Sequence, residues 1–434
     1  MLQTSKKFRY DDRNIRGNNF LQQVEHTADE VSMNEANAKG AIERKDSASD
    51  FSLVLGGPLF QLLRRSRLAD DDMRLLTRRL IVLPLLAWLP LLILSAFEGK
   101  FQSGTALPFL LDIEVHIRFL IAMPLLILAE LYVHERLRLI LSSFLGRDLI
   151  PEQDMEKFRT AVTSALKMRN SISAELCLIV LVYLVGILVV WKHFIGLEGD
   201  AWYATFQHGE RTLNIAGYWF VLFSLPFFQF LLIRWYYRLF IWIRFLWQVS
   251  RIKLRLVPAH PDRFGGLGFV THSVYAFTFL AAAHGALLSA VISNRIFFSG
   301  ASLTDFKLEI AIMLGFVLML FVAPLFLFSC QLSAAKRIGR LEYGDLAHKY
   351  ARQYDSKWLR GGAPADEPFI GSADIQSLAD LGNGYEVVDT MRFIPIGKDS
   401  LLQLMGWTLL PLLPLVFTLM PLDEFLRKLV NILL

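Results

Sequence analysis

Seven apolar runs, each close to the roughly twenty residues that a helix needs to cross a hydrocarbon layer, constrain this chain more than any other feature. They occupy residues 80–97, 117–133, 176–191, 218–233, 271–293, 310–332 and 401–420. No soluble core absorbs so many, and lipid admits only helices and closed barrels as spanning structures. A hydrophobic content of 54% and a mean hydropathy of +0.41 agree. The expected fold is an all-α integral membrane protein with about seven hydrophobic segments and two helices extended into the cytosol.

Charge decides sidedness. Arg74, Arg78 and Arg79 precede the first run, Arg136 and Arg138 follow the second, and Lys336, Arg337 and Arg340 follow the sixth. The loop between the first two runs carries Glu98, Asp112 and Glu114 beside a single Lys100. The N-terminus is therefore expected in the cytoplasm. Because the +5 net charge sits on alternate loops, it implies contact with membrane lipid and no nucleic-acid partner. Residues 1–50 are polar, mixed in charge and without an apolar core, which predicts a disordered arm and no cleaved signal peptide. Residues 51–79 read as an interfacial amphipathic helix, in which Leu59, Phe60, Leu62 and Leu63 meet Arg64, Arg65 and Arg67. Cys177 and Cys330 lie far apart in apolar segments and read as small core residues, without a disulfide or a zinc site.

Residues 80–333 form a six-helix core, from which the fourth helix continues as a cytosolic extension over 234–256. A helix from Ala216 to Leu256 would measure on the order of 60 Å, about twice the hydrocarbon thickness. On it Arg244, Arg251 and Arg255 fall within about 40° of one another. That stripe suits a basic vestibule that binds a small anion, or contact with anionic headgroups. In the fifth segment Thr271, Thr278, Gly285, Ser289 and Ser293 share a narrow face, which suits a pore lining or a close helix contact. Arg118, Glu130, His284 and Glu309 are intramembrane ionisable groups that need partners, and Arg118 with Glu309 is the expected pair.

The loop at 260–269, His-Pro-Asp-Arg-Phe-Gly-Gly-Leu-Gly-Phe, reads as a tight turn. His260, Asp262 and His272 have no recognised metal spacing, and Gly397-Lys398 lacks the rest of a phosphate loop. No nucleophile and base pair occurs, so neither an enzyme nor a cofactor is expected. Residues 334–400 form a cytosolic helical segment. Its first helix carries Tyr343, Ala347, Tyr350, Tyr354 and Trp358 at helical spacing, and Ser372 looks like the N-cap of a short helix that runs toward Ala379. An aromatic face of that kind must pack somewhere, and a homo-oligomeric collar would bury it. The seventh segment, 401–421, is broken by Pro411, Pro414 and Pro421, so it is one kinked crossing or a partly re-entrant element. The tail at 422–434 is amphipathic.

Four blocks carry a resemblance: residues 51–58, 116–130, 260–269 and the Gly-Ser-Ala-Asp-Ile-Gln-Ser-Leu-Ala-Asp-Leu-Gly-Asn of 371–383. Spread over most of the chain, they resemble a family of uncharacterised bacterial inner-membrane proteins. The resemblance implies a bacterial polytopic protein of the inner membrane and carries no activity. Two functions remain open: an oligomeric channel or transporter for small anions, or a non-conducting scaffold or sensor that recruits a cytosolic partner through 334–400. The mark of the second would be a dry, tightly packed membrane interior.

Overall fold

A computed structural model describes residues 51–68, 75–195, 201–207, 210–364, 366–368 and 372–419. The expected arm at 1–50 and tail at 422–434 lie outside these residues. Six described helices are long and apolar enough to cross a membrane, and a bent pair makes a seventh. The protein is therefore a multi-pass helical membrane protein.

The short α1 (Pro58–Arg65) precedes α2 (Leu76–Phe97) and α3 (Ile113–Gly146), and α4 (Met155–Arg169) leads at a bend of 48° into α5 (Ile172–Ile195). A two-stranded antiparallel hairpin, β1 (Ala204–Gln207) and β2 (Glu210–Leu213), follows in the register Ala204 to Leu213. Then come α6 (Ile215–Ser250), α7 (Gly268–Ser299), α8 (Leu303–Leu359), α9 (Ala373–Asp389) and α10 (Lys398–Val416). The ends of α2, α3, α6 and α8 that carry the arginines gather on one side, here termed the basic end.

Prolines shape these helices without ending them. A wide π-turn at 118–122 precedes Pro124 in α3, and another at 220–224 precedes Pro226 in α6. A proline ring collides with the carbonyl four residues earlier, and the wider turn makes room for it.

Four described helices, not two, are much longer than the bilayer is thick, α7 among them at 32 residues. At 34 residues α3 is on the order of 50 Å long against a hydrocarbon layer of roughly 30 Å, and α6 and α8 are longer still. Arg136 and Arg138 do not stop α3, because Leu137, Ile140, Leu141 and Phe144 continue a buried face beyond them. Phe144 meets Phe269 edge-on at 4.9 Å and Phe158 at 6.0 Å. The extension on α6 is shorter than its sequence pattern predicts. The helix stops at Ser250, residues 251–252 turn, and residues 253–257 have no regular structure, with Ile252 and Leu254 buried between exposed Arg251, Lys253 and Arg255. Gln331 of α8 enforces the stop by donating to the carbonyls of Ser250 and Ile252, at 2.6 and 2.8 Å.

The described part of the seventh segment is long and apolar enough to cross. It runs parallel to α7 in register: Ser400 donates to the Tyr275 hydroxyl at 3.0 Å, the Thr408 carbonyl faces Gly285, and Leu412 clusters with Ile292. Pro411 is absorbed in a tight turn at 410–412 and Pro414 opens the helical turn Leu413–Val416, while Pro421 lies outside the described residues. The aromatic face of α8 packs within the chain. Gly344 approaches Tyr385, Tyr350 donates to the Asp374 carbonyl at 3.2 Å, and Trp358 donates to the Asp374 carboxylate at 2.9 Å. No collar of neighbouring copies is needed to cover it. Ser372 is the N-cap of α9 but makes no side-chain capping bond, and the helix runs ten residues past Ala379, to Asp389. Cys177 and Cys330 are exposed on helix surfaces and are not core residues.

Candidate functional site

Near the basic end five buried charged side chains from four helices converge. Glu130 of α3 receives Arg79 of α2 on one oxygen, at 2.5 Å, and Arg238 of α6 on the other, at 2.8 Å. Arg234, one helical turn before Arg238, lies 3.8 Å from Glu130 and 3.1 Å from Glu175 of α5. The second oxygen of Glu175 accepts the Leu59 backbone N–H at 2.8 Å, in the first turn of α1. None of the five is more than 7% exposed. Among the described residues three guanidinium groups here face two carboxylates. Removing such charges from water is costly, and only close pairing offsets that cost. Arg238 also lies over the Trp235 ring, 4.8 Å from its centroid.

Helix geometry places the cluster in depth. Glu130 lies about 26 Å along α3 from Ile113, and Arg234 about 29 Å along α6 from Ile215. Both stand at the basic-side boundary of a roughly 30 Å hydrocarbon layer.

Directly beside the cluster lies a segment that the sequence pattern assigns to the interface. Of residues 51–68 only 58–65 are helical, and the preceding Phe51, Ser52, Leu53 and Val54 are buried inside the bundle. Phe51 packs on Phe245 at 5.9 Å, the Ser52 hydroxyl meets His134 Nδ1 at 2.9 Å, and Arg169 donates to the Ser52 carbonyl. Gly57 N–H donates to Asn170 at 3.1 Å. The segment fills the basic end between α3, α4 and α6.

The predicted vestibule arginines do not converge. Arg244 is exposed and lies 3.1 Å from the Met168 sulfur, and Arg251 lies over the Trp247 ring at 5.4 Å. Arg255 is exposed, and its backbone N–H donates to Leu149 at 2.8 Å. Because α6 ends at Ser250, these three share no helical face, and the single cationic stripe is corrected. The arginines that do meet, Arg234 and Arg238, are those that flank the stripe in sequence.

The predicted pore lining is a helix contact. Thr271 donates to the Pro395 carbonyl at 2.6 Å, Thr278 to the Tyr275 carbonyl at 3.0 Å, and Ser293 to the Ser289 carbonyl at 2.7 Å. At Gly285 a Cβ would stand 1.9 Å from the Thr408 carbonyl oxygen, so only glycine permits α10 to lie this close. At Gly285 this face lies against α10.

Of the other intramembrane groups, Arg118 and His284 have partners, and that of Arg118 is not the expected one. Arg118 bonds Glu114 one turn earlier on its own helix, a spacing that brings side chains together, while Glu309 is exposed. The Arg118 to Glu309 pair is thus corrected. His284 Nδ1 lies 2.6 Å from the Leu280 carbonyl and so carries the proton; Nε2 accepts from the Tyr236 hydroxyl at 2.6 Å. At the end opposite the basic one, Asp112 accepts from Trp202 at 2.9 Å and Asn294 at 3.0 Å. That contact draws the β-hairpin over the bundle, in a stretch that reads from sequence as a plain loop.

In the 260–269 loop Asp262 organises the turn. Its carboxylate accepts the backbone N–H groups of Phe264, Gly266 and Gly268 at 2.8, 3.1 and 2.9 Å, and His260 Nδ1 lies 2.9 Å away. His272 stacks near Tyr275 instead. Among the described residues no group of three or more His, Cys, Asp or Glu is placed to hold a metal ion.

Sequence reasoning missed Arg79 and Glu175 as site residues. Both left a signal: Glu175 is the acid in the first turn of an otherwise apolar helix, and Arg79 directly precedes the first apolar run. No protein-family model, curated protein or solved structure matches the chain.

Proposed function

We propose that this protein is a non-conducting scaffold or sensor of the bacterial inner membrane. Its basic end faces the cytoplasm, following the bias of Lys and Arg toward that side, and presents the segment 334–400 to a cytosolic protein partner. The observation that carries this reading is the contact of Gly285 with the Thr408 carbonyl. It consumes the most polar face of the most buried helix in packing. The α8–α9 hairpin projects beyond the bundle and keeps Ile338, Leu341, Leu346 and Ile375 at least 45% exposed. Apolar side chains on a charged projecting hairpin suit recognition of a protein surface.

Photo-crosslinking in cells tests this reading. A crosslinking residue at Leu341 or Leu346 is expected to give one discrete adduct with another protein, lost when Ile338→Asp is added. The same residue at lipid-facing Ile312 should give none. Adducts that are absent, or equal at all three positions, would remove the partner.

A further inference from the structure

We infer that α2 holds an anionic phospholipid, with a phosphate at Arg78 and an acyl chain in the groove beyond it. The groove, about 550 Å³, lies on the lipid-facing side of α2 and is closed at one edge by Trp219 of α6. Its lining is apolar, with Val82, Leu86, Leu89 and Ile93 contributing from α2. These residues recur at three and four positions, so they occupy one face of the helix. Arg78 precedes Val82 by one turn on that face and is exposed. No acidic partner of Arg78 lies among the described residues. Its neighbour Arg79 points the other way, into the cluster around Glu130.

Dimensions and charge select the occupant. From Val82 to Leu94 the groove runs about 18 Å along the helix axis. Counted from Arg78 the far end lies about 24 Å along the axis, past the middle of a roughly 30 Å hydrocarbon layer, so it is the tail end of an extended acyl chain anchored at Arg78 that reaches Trp219. A cation at the basic-side mouth then meets the phosphate level, where an anionic headgroup gains most. A second copy of the chain fits less well. Copies related by a two-fold axis along the membrane normal would bring Arg78 against its own mate at the same depth, an unfavourable like-charge contact.

Brominated lipids read this directly, since bromine quenches tryptophan on contact. The intact protein is reconstituted with brominated phosphatidylglycerol or brominated phosphatidylcholine, and the Trp219 component is taken as the difference from a Trp219→Phe variant. Phosphatidylglycerol is expected to quench that component at about fivefold lower mole fraction, as one basic residue near an anionic surface implies. Arg78→Gln should bring the ratio to about one, and Arg78→Lys should retain most of it. Val82→Phe with Leu86→Phe should fill the groove and abolish quenching of Trp219 by either lipid, in protein that elutes as the wild type does. Equal quenching by the two lipids in the wild type, or an undiminished ratio in Arg78→Gln, would overturn the proposal. So would a Trp219 that neither lipid quenches because a second copy covers the groove.

Discussion

Glu130 shows how much one residue can hold in a membrane protein. It is the shared anion between Arg79, Arg238 and the more distant Arg234, and removing it takes a buried counter-charge from all three. Breaking a buried pair from one side typically costs about 3–5 kcal/mol, because the remaining charge stays buried without compensation. Glu130→Ala should therefore lower the thermal unfolding midpoint of the detergent-solubilised protein sharply. Glu309→Ala, at an exposed site on α8, should stay within about 0.5 kcal/mol of the wild type. Equal midpoints would show that the cluster contributes nothing to folding. That Glu130 needed a partner was legible in the sequence, since a carboxylate in an apolar run is costly. Its partners were not, because they come from helices 51 and 108 residues away. The regular spacing of Arg244, Arg251 and Arg255 drew attention to arginines that stay exposed. Periodicity carries meaning only while the helix lasts, and a glutamine from another helix ends it.

At the scale of elements, α7 and α10 form the contact on which the closed interior depends. Gly285→Ala would push a methyl group into the Thr408 carbonyl and should cost about 1–3 kcal/mol through overpacking. Gly315→Ala, where an added Cβ meets nothing within 4 Å, should be neutral or slightly stabilising in the thermal unfolding of the same preparation. If both variants unfold alike, the close approach of α10 is wrong. Glycine and serine at helical spacing announced either a pore or a contact. Choosing between them required the position of a proline-rich segment whose crossing the sequence left open. The hairpin adds a pH test. Lys357 and Trp358 both donate to Asp374, at 2.8 and 2.9 Å, and these bonds hold its carboxyl below the ordinary value of 3.8. A group depressed on folding stabilises fully above its unfolded value and loses that contribution as pH falls through the folded one. Hydrogen exchange at the start of α9 should therefore stay slow, relative to its intrinsic rate, down to about pH 4 and quicken below it. In Asp374→Asn that start should be less protected at neutral pH, and the step should vanish. A step that persists in the variant would assign it to another group.

For the whole molecule, the sequence was most informative about class. Apolar run lengths gave the number of crossings, and basic clusters showed which helix ends gather together. It was silent on the layer built beyond the membrane by the overhangs of α3 and α6, by α4, and by the buried 51–54 segment. Those residues read as interfacial because amphipathic pattern alone cannot distinguish a lipid surface from the end of a helix bundle. The resulting molecule is packed through its centre, with a charged cluster at one boundary and a projecting hairpin beyond it. The central proposal is that it does not conduct. Chloride and potassium flux through purified protein in liposomes tests this most directly, with empty vesicles and the exposed-site variant Arg244→Glu measured alongside. Flux of both ions at the level of empty vesicles, from protein shown to be folded and inserted, is the expected result. Chloride-selective flux that Arg244→Glu weakens or reverses would contradict it and establish the anion path instead.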